Sequence, residues 1–355
     1  MKLTRRNAVL ALAALLAACS GGGAGEQPKI VRIIAGGSTV HGKYVPGNLT
    51  GVVESEGWLK QQLASRGYAL EFVDMPHAIG GPMINEGFAN KSLEFASYGD
   101  LPAVIGAAGG SPIRLVLSQT GVFNSYLLVP TGSPARSIAD LKGKRLALHR
   151  GRPWECALAR AAEAAGLTIN DFKVINVNPS AGAAALAAGK VDAFVGPVAD
   201  ADRLQREGAG RILWSTKQAP AAWAARTEIW GRKDFVADHP ELATLVAAAY
   251  LHAGKWASAD GNRDAYIKRL SLETPESAIR ADLADAGPWK ARFAPLDPAV
   301  LKDHYRYIID YAAKTGLIGD KPSFEDLTDT GLTANALKLA DAEGFWSAPP
   351  TTPAQ

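Results

Sequence analysis

Residues able to grip a small molecule gather in four short segments. Each follows an apolar stretch of strand character and precedes one of helical character: Gly36 to His41, Ser97 to Asp100, Arg150 to Glu155 and Gly196 to Asp200. Open α/β sheets bind ligands beyond the carboxyl ends of their strands, and helix N-termini there turn unsatisfied N–H groups toward an anion. Ser38 and Thr39 offer hydroxyls after the first strand, or else form a plain polar turn. Beside Tyr98, Gly99 lets a ligand approach the backbone closely. Asp100 either faces that ligand or caps the next helix. Pro153 suits a first helical turn, which leaves Arg152 at the helix mouth, where a guanidinium can orient an acidic group through a bidentate pair. The alternative is an exposed arginine. Trp154 either stacks on a ligand or fills the core. Glu155 would oppose an anion if it faced the same way and would suit an ammonium group.

Other chemistries find little support. Cys156 sits early in a helix, where the dipole could lower a thiol pKa, but it reads equally as a small apolar residue. No histidine stands beside it in sequence. The six histidines are scattered and only two cysteines occur, so no metal-ligand spacing and no disulfide framework emerges. No nucleophile–base pair is visible and no cofactor is expected.

The 355 residues suit two lobes of ordinary domain size. With 47% hydrophobic and 21% charged residues, the chain is neither disordered nor a polytopic membrane protein. Its 38 basic and 35 acidic residues give +3, and Lys2, Arg5 and Arg6 account for the excess. Residues 19–355 are formally neutral, so nucleic acid is not an expected partner. Residues 1–18 read as a signal peptide: a basic start, then an apolar run from Ala8 to Ala18 that is too short to span a bilayer. It ends in Leu16-Ala17-Ala18-Cys19, which resembles the lipobox of bacterial lipoproteins and implies lipidation at Cys19, a membrane anchor and a place in the cell envelope. Residues 19–28 then form a Gly-rich tether, and residues 346–355 a disordered tail.

Strands and helices alternate between these ends. Lys29 to Ile34 is a strand stopped by Gly36 and Gly37. Val40 to Glu54 is a long loop, Glu56 to Arg66 a helix ending at Gly67, and Leu70 to Asp74 a strand. A second series begins near Val129, with a strand to Leu148, a helix over Trp154 to Ala165 and a strand over Phe172 to Val177. A helix–turn–strand unit appears twice, over 82–97 and 180–195, with an acid (Glu94, Asp192) before each strand. Helices are expected over 239–258, 275–285, 298–315 and 331–345. This rhythm predicts α/β layers with largely parallel sheets.

Several segments in this order resemble the periplasmic solute-binding proteins of ABC importers, most closely the nitrate/sulfonate/taurine type. They are SIADLKGKRLAL (Ser137 to Leu148), AAGKVDAF (Ala187 to Phe194), FASYGD (Phe95 to Asp100), RKDFVADHP (Arg232 to Pro240) and KTGLIGDKP (Lys314 to Pro322). The similarity covers about 29–345. It implies a type II periplasmic-binding-protein fold, two α/β lobes joined by two hinge strands. Lobe 1 would comprise 29–126 and 227–345, and lobe 2 would comprise 127–226. It further implies a ligand held between the lobes, with Asn124 at one hinge and Arg226 beside the other as further contacts. The partners would be an ABC permease and ATPase, and the family's usual state is a monomer that performs no chemistry. Arg152 stands where many relatives carry a small polar residue. Together with Arg226 it favours a sulfonate-like or carboxylate ligand. The rivals are a pyrimidine- or aromatic-binding or enzymatic relative of thiamine-pyrimidine synthesis, and an envelope ligand sensor.

Overall fold

The computed structural model describes residues 29–75, 80–118, 122–284, 287–328 and 330–346. The leader, Cys19, the tether and the tail from residue 347 lie outside the described residues. Trp346, assigned to the tail from sequence, is described: its indole Nε1 donates to Ser258 Oγ at 3.1 Å.

Two mixed sheets organise the chain. The first runs in the order Tyr68–Asp74 (β4), Lys29–Ala35 (β1), Phe95–Gly99 (β5), Ala225–Arg232 (β13), Ile113–Leu117 (β6), with the short Val122–Phe123 (β7) also on β13. The second runs Lys173–Asn176 (β10), Arg145–Leu148 (β9), Ala193–Gly196 (β11), Tyr126–Pro130 (β8), Gly210–Ser215 (β12). β1 lies parallel to β4 and β5, and β9 parallel to β10 and β11. β13 and β8 are antiparallel to their neighbours, because each is the strand by which the chain returns to a sheet or enters one. The chain crosses between the sheets twice, after Phe123 and before Ala225.

Helices cover both faces of each sheet, as buried parallel strands require. The helices that matter here are Asn48–Glu56 (α1), Trp58–Ala64 (α2), Gly81–Ala89 (α3), Asp100–Ala108 (α4), Pro153–Ala164 (α5), Pro179–Ala187 (α6), Val198–Arg206 (α7), Pro240–Ser258 (α8), Glu276–Leu283 (α9), Pro298–Lys314 (α10) and Thr330–Leu339 (α11). Strand side chains alternate between faces. Val31, Ile33, Phe95 and Ile229 therefore meet α8, whereas Ile34, Ala96, Tyr98 and Trp230 meet α3, α4 and α10. In the second lobe Leu127, Val129, Leu146 and Leu148 pack under α5, and Leu128, Ala147 and Phe194 under α6 and α7.

α8 shows why these segments are helical. Pro240 opens it, and Leu242, Leu245, Val246, Ala249, Tyr250, Ala253 and Ala257 recur at helical spacing as a buried stripe. α10 is started by Asp297, whose side chain accepts from the Ala299 N–H at 2.8 Å, with Pro298 at the first turn. Its inward stripe is Leu301, His304, Tyr305, Ile308, Tyr311 and Ala312.

Three expectations change. The sheets are mixed rather than largely parallel, because β13 and β8, the strands beside the crossovers, run against every neighbour. The stretch from Val40 to Glu54 is not a loop. Gly37–Val40 (β2) pairs antiparallel with Lys43–Pro46 (β3) as a hairpin, and α1 follows. Tyr44 ties the hairpin back by donating to the Ala35 carbonyl at 2.6 Å. The single helix expected from Glu56 to Arg66 is two, because Gly57 (φ +69°) takes the left-handed conformation between α1 and α2.

Candidate functional site

The lobes meet at two of the strand ends named from sequence. β5 ends in Gly99, where α4 starts, and β9 leads through a Gly151 turn (φ +75°) into α5. Arg152 is the residue just before the first helical turn of α5, with extended backbone (φ −100°, ψ 156°), and Pro153 opens the helix as its fixed ring favours. No side chain caps that turn.

Arg152 and Gly99 are brought to the lobe junction. A methyl group on Gly99 would lie 2.5 Å from Pro153 Cγ, so the lobes touch at a backbone carbon. A methyl group on Gly80 would collide with the Arg152 guanidinium, which therefore lies close against the first lobe's backbone. That guanidinium is also 5.7 Å from the Trp154 ring centre. Burial lowers the Arg152 pKa, and burial with the nearby Arg152 charge lowers that of His149.

Asp100 is buried inside the first turn of α4. Its Oδ1 accepts from the Leu101 N–H at 2.7 Å, and its Oδ2 lies 3.0 Å from His304 Nε2 on α10. Asp100 does not cap the helix: Gly99 holds the cap position, and no side chain makes a capping bond from it. Tyr98 is buried too, and its hydroxyl donates to the Pro102 carbonyl at 2.9 Å. Trp154 packs in the second lobe's core with Leu127 and Leu158, but its indole Nε1 has no partner. Ser125, at the same end of that sheet, likewise has an unpartnered hydroxyl. An unpaired buried donor costs free energy that a ligand oxygen would recover.

Arg226 and Glu228 lie on one face of β13, adjoining Tyr98. Arg226 Nε donates to Glu228 Oε1 at 3.3 Å, and the Tyr305 hydroxyl donates to Glu228 Oε2. Glu228 is fully buried, and loss of solvation drives its pKa up to about 8 although the Arg226 charge opposes the rise.

Asn124 has both ends of its amide engaged. Its Nδ2 donates to the Asp282 backbone carbonyl and to Asp282 Oδ1, each at 3.0 Å, and its Oδ1 accepts from Thr216 Oγ1 at 2.9 Å. Tyr126 also donates to Asp282 Oδ1, at 2.5 Å. These bonds brace the first crossover against α9 of the first lobe, beside a cavity of ≈ 210 Å³ lined by Tyr126, Asp202, Lys217 and Asp282. Ser38 and Thr39 sit on the β2–β3 hairpin, half-buried and exposed respectively. Gly196 is buried at the end of β11, where a methyl group would strike the Phe194 ring. A separate apolar groove of ≈ 380 Å³, lined by Leu296, Leu301, Leu337 and Trp346, contains none of these residues.

Sequence reading missed the partners that α10 supplies: His304 to Asp100, Tyr305 to Glu228 and Tyr311 to Glu155. The one local signal was an apolar helix stripe carrying three polar side chains. Glu155 is fully buried and joins the mouth of α5 to α10. Its oxygens meet Tyr311 Oη at 2.8 Å, the Gly151 N–H at 2.6 Å and Arg150 Nε at 2.6 Å.

Two α/β sheets crossed twice by the chain, with strand ends and helix starts meeting at a crevice, define a two-lobed binding-protein fold. The chain belongs to the NMT1/THI5-like family, whose model matches residues 84–263. It aligns over 91% of its length with 98% of the periplasmic sulfonate-binding protein of a sulfonate ABC transporter from Methylobacillus flagellatus KT, at 40% identity and a TM-score of 0.80. It is also 29% identical over 144 residues to a protein of Bacillus subtilis (strain 168) named as an aliphatic sulfonates-binding protein; the match takes in 40% of this chain and 42% of that one. The desulfurization enzyme DSZB shares the fold alone, at 17% identity and a TM-score of 0.62 over 88% of this chain and 99% of DSZB. Among the described residues no helix is long and apolar enough to cross a membrane.

Proposed function

We propose that this chain is the solute-binding component of an ABC importer. It takes a small organic anion, an alkanesulfonate or a carboxylate, between its lobes and passes it unchanged to a permease. The observation that carries this reading is Arg152. It places a permanent charge at the uncapped start of α5, pressed against Gly80 of the opposite lobe. A guanidinium drawn out of water is stabilised by an anion brought to it, and the aligned sulfonate-binding structure supports the same ligand class. The hinges would fall at the two crossovers, residues 124–125 and 216–224, because Tyr126–Pro130 and 227–231 are paired throughout within their sheets, and closure would favour the form that a permease recognises.

A binding role rather than catalysis fits Cys156, the one cysteine among the described residues. Burial holds the Cys156 thiol well above its usual pKa, aided by the nearby Asp100 and Glu155 carboxylates, which is the opposite of an activated nucleophile. A thermal-shift screen of alkanesulfonates, carboxylates, pyrimidines and inorganic anions tests the ligand class. A cognate anion at a hundred times its Kd adds about 2.7 kcal/mol and moves the midpoint by several degrees. Mass spectrometry should recover that anion unaltered. A response to pyrimidines alone, or a changed ligand mass, overturns the reading.

The lipobox-like Leu16-Ala17-Ala18-Cys19 further leads us to infer attachment to the membrane through acylated Cys19. Cys19→Ala should then move the protein from the membrane fraction to the soluble periplasmic fraction. An unmoved distribution rejects the anchor and leaves the ligand assignment untouched.

A further inference from the structure

Helix α5 belongs to the cores of both lobes. Trp154, Leu158, Ala161 and Ala162 pack on the second sheet, while Cys156 and Ala159 pack with Leu101, Tyr305 and Ile308 of the first lobe. Between these stripes stands Glu155, with no exposed surface. Its Oε1 accepts from the Tyr311 hydroxyl of α10 at 2.8 Å and pairs with Arg150 Nε at 2.6 Å. Its Oε2 accepts from the Gly151 N–H at 2.6 Å, in the turn that presents Arg152. One carboxylate therefore links the mouth of α5 to the opposite lobe. A buried carboxylate is stable only while its oxygens are satisfied, so each donor fixes it strongly. Farther along α5 Tyr307 of α10 makes one more such bond, donating to Glu163 at 3.1 Å, and a cation–π contact, with Arg160 3.6 Å over its ring.

We propose that Glu155 is a positioning residue that couples the Arg152 turn to lobe closure, its bond to Tyr311 latching the second lobe onto the first. The inference rests on the reading of the protein as a two-lobed clamp. Parting the lobes takes Tyr311 away from Glu155 and brings Cys156 to water. Cys156 is 5% exposed in this structure, so its alkylation reports opening.

The test is iodoacetamide labelling of the full-length, ligand-free chain, with the modification at Cys156 read by peptide mass. Tyr311→Phe removes the donor of the latch, and Glu155→Gln replaces its charged acceptor with a neutral amide. Labelling at about pH 9.5, above the usual thiol pKa, keeps the lost Glu155 charge from setting the rate by itself. Each should speed alkylation about tenfold, the usual worth of one hydrogen bond to a charged group. Amide exchange through β5 and β9 should stay at wild-type values, which shows that both lobes remain folded. Wild-type alkylation rates in both variants overturn the latch, as does a rise matched by faster exchange in β5 and β9. Ethanesulfonate should slow labelling in all three proteins. If it slows none while the variants still label faster, the ligand class is at fault and the latch stands.

Discussion

Arg152→Ala should weaken binding of an alkanesulfonate by about a hundredfold, most of it as faster release. A charge-assisted, desolvated hydrogen-bonded pair is worth roughly 3 kcal/mol when one partner is deleted. Burial against Gly80 works in the same direction. It lowers the Arg152 pKa, and an arriving anion relieves that cost. Arg152→Lys should restore part of the loss, because an ammonium keeps the charge but not the planar fork. The matching sulfonamide, which lacks the charge, should bind the wild type and the alanine variant with similar weak affinity. Calorimetry on the two proteins with the two ligands reads the effect directly. A change under threefold for the sulfonate removes Arg152 from the site.

Stability should fall as pH rises from about 4.5 to above 8, and Glu228 should account for one proton of that slope. In the folded protein burial raises the Glu228 pKa to about 8, whereas the unfolded chain releases the proton near 4.5. Between those values the folded state holds one proton more than the unfolded state, so increasing pH favours unfolding. The contribution is complete below pH 4.5 and gone once pH passes through 8. It amounts to a few kcal/mol on the order-of-magnitude scale of a shift this large. Glu228→Gln keeps the shape and one acceptor oxygen for Arg226, turns an amide NH2 toward the Tyr305 hydroxyl, and removes the titration. Denaturant midpoints measured from pH 5 to 9 should therefore slope less in the variant than in the wild type. Equal slopes would mean that Glu228 does not hold its proton.

The layered architecture was readable because its signals are local. Apolar runs such as Lys29 to Ile34 stop at glycines, and the α8 stripe repeats at helical spacing. Pro153 put Arg152 at the start of α5 for a reason confined to one residue's ring. The hairpin at Gly37–Val40 was read as a loop because Gly36 and Gly37 signal a strand stop. The turn that reopens pairing lies at His41 and Gly42, both with positive φ. The long-range partners had no local signal at all. Asn124 reads as a ligand contact from its place at a crossover, yet its amide is engaged by Asp282, 158 residues away. Glu155 could be weighed only for or against a ligand, since nothing near it in sequence announces Tyr311, 156 residues on.

Where Gly99 abuts the Pro153 ring, the two jaws leave no thickness for cargo. A ligand held between the lobes, as proposed, would have to lie to one side of that seam. Substitution of Gly99 by any residue with a side chain would hold the jaws ajar by about the width of a methyl group, converting a vessel that seals into one that leaks.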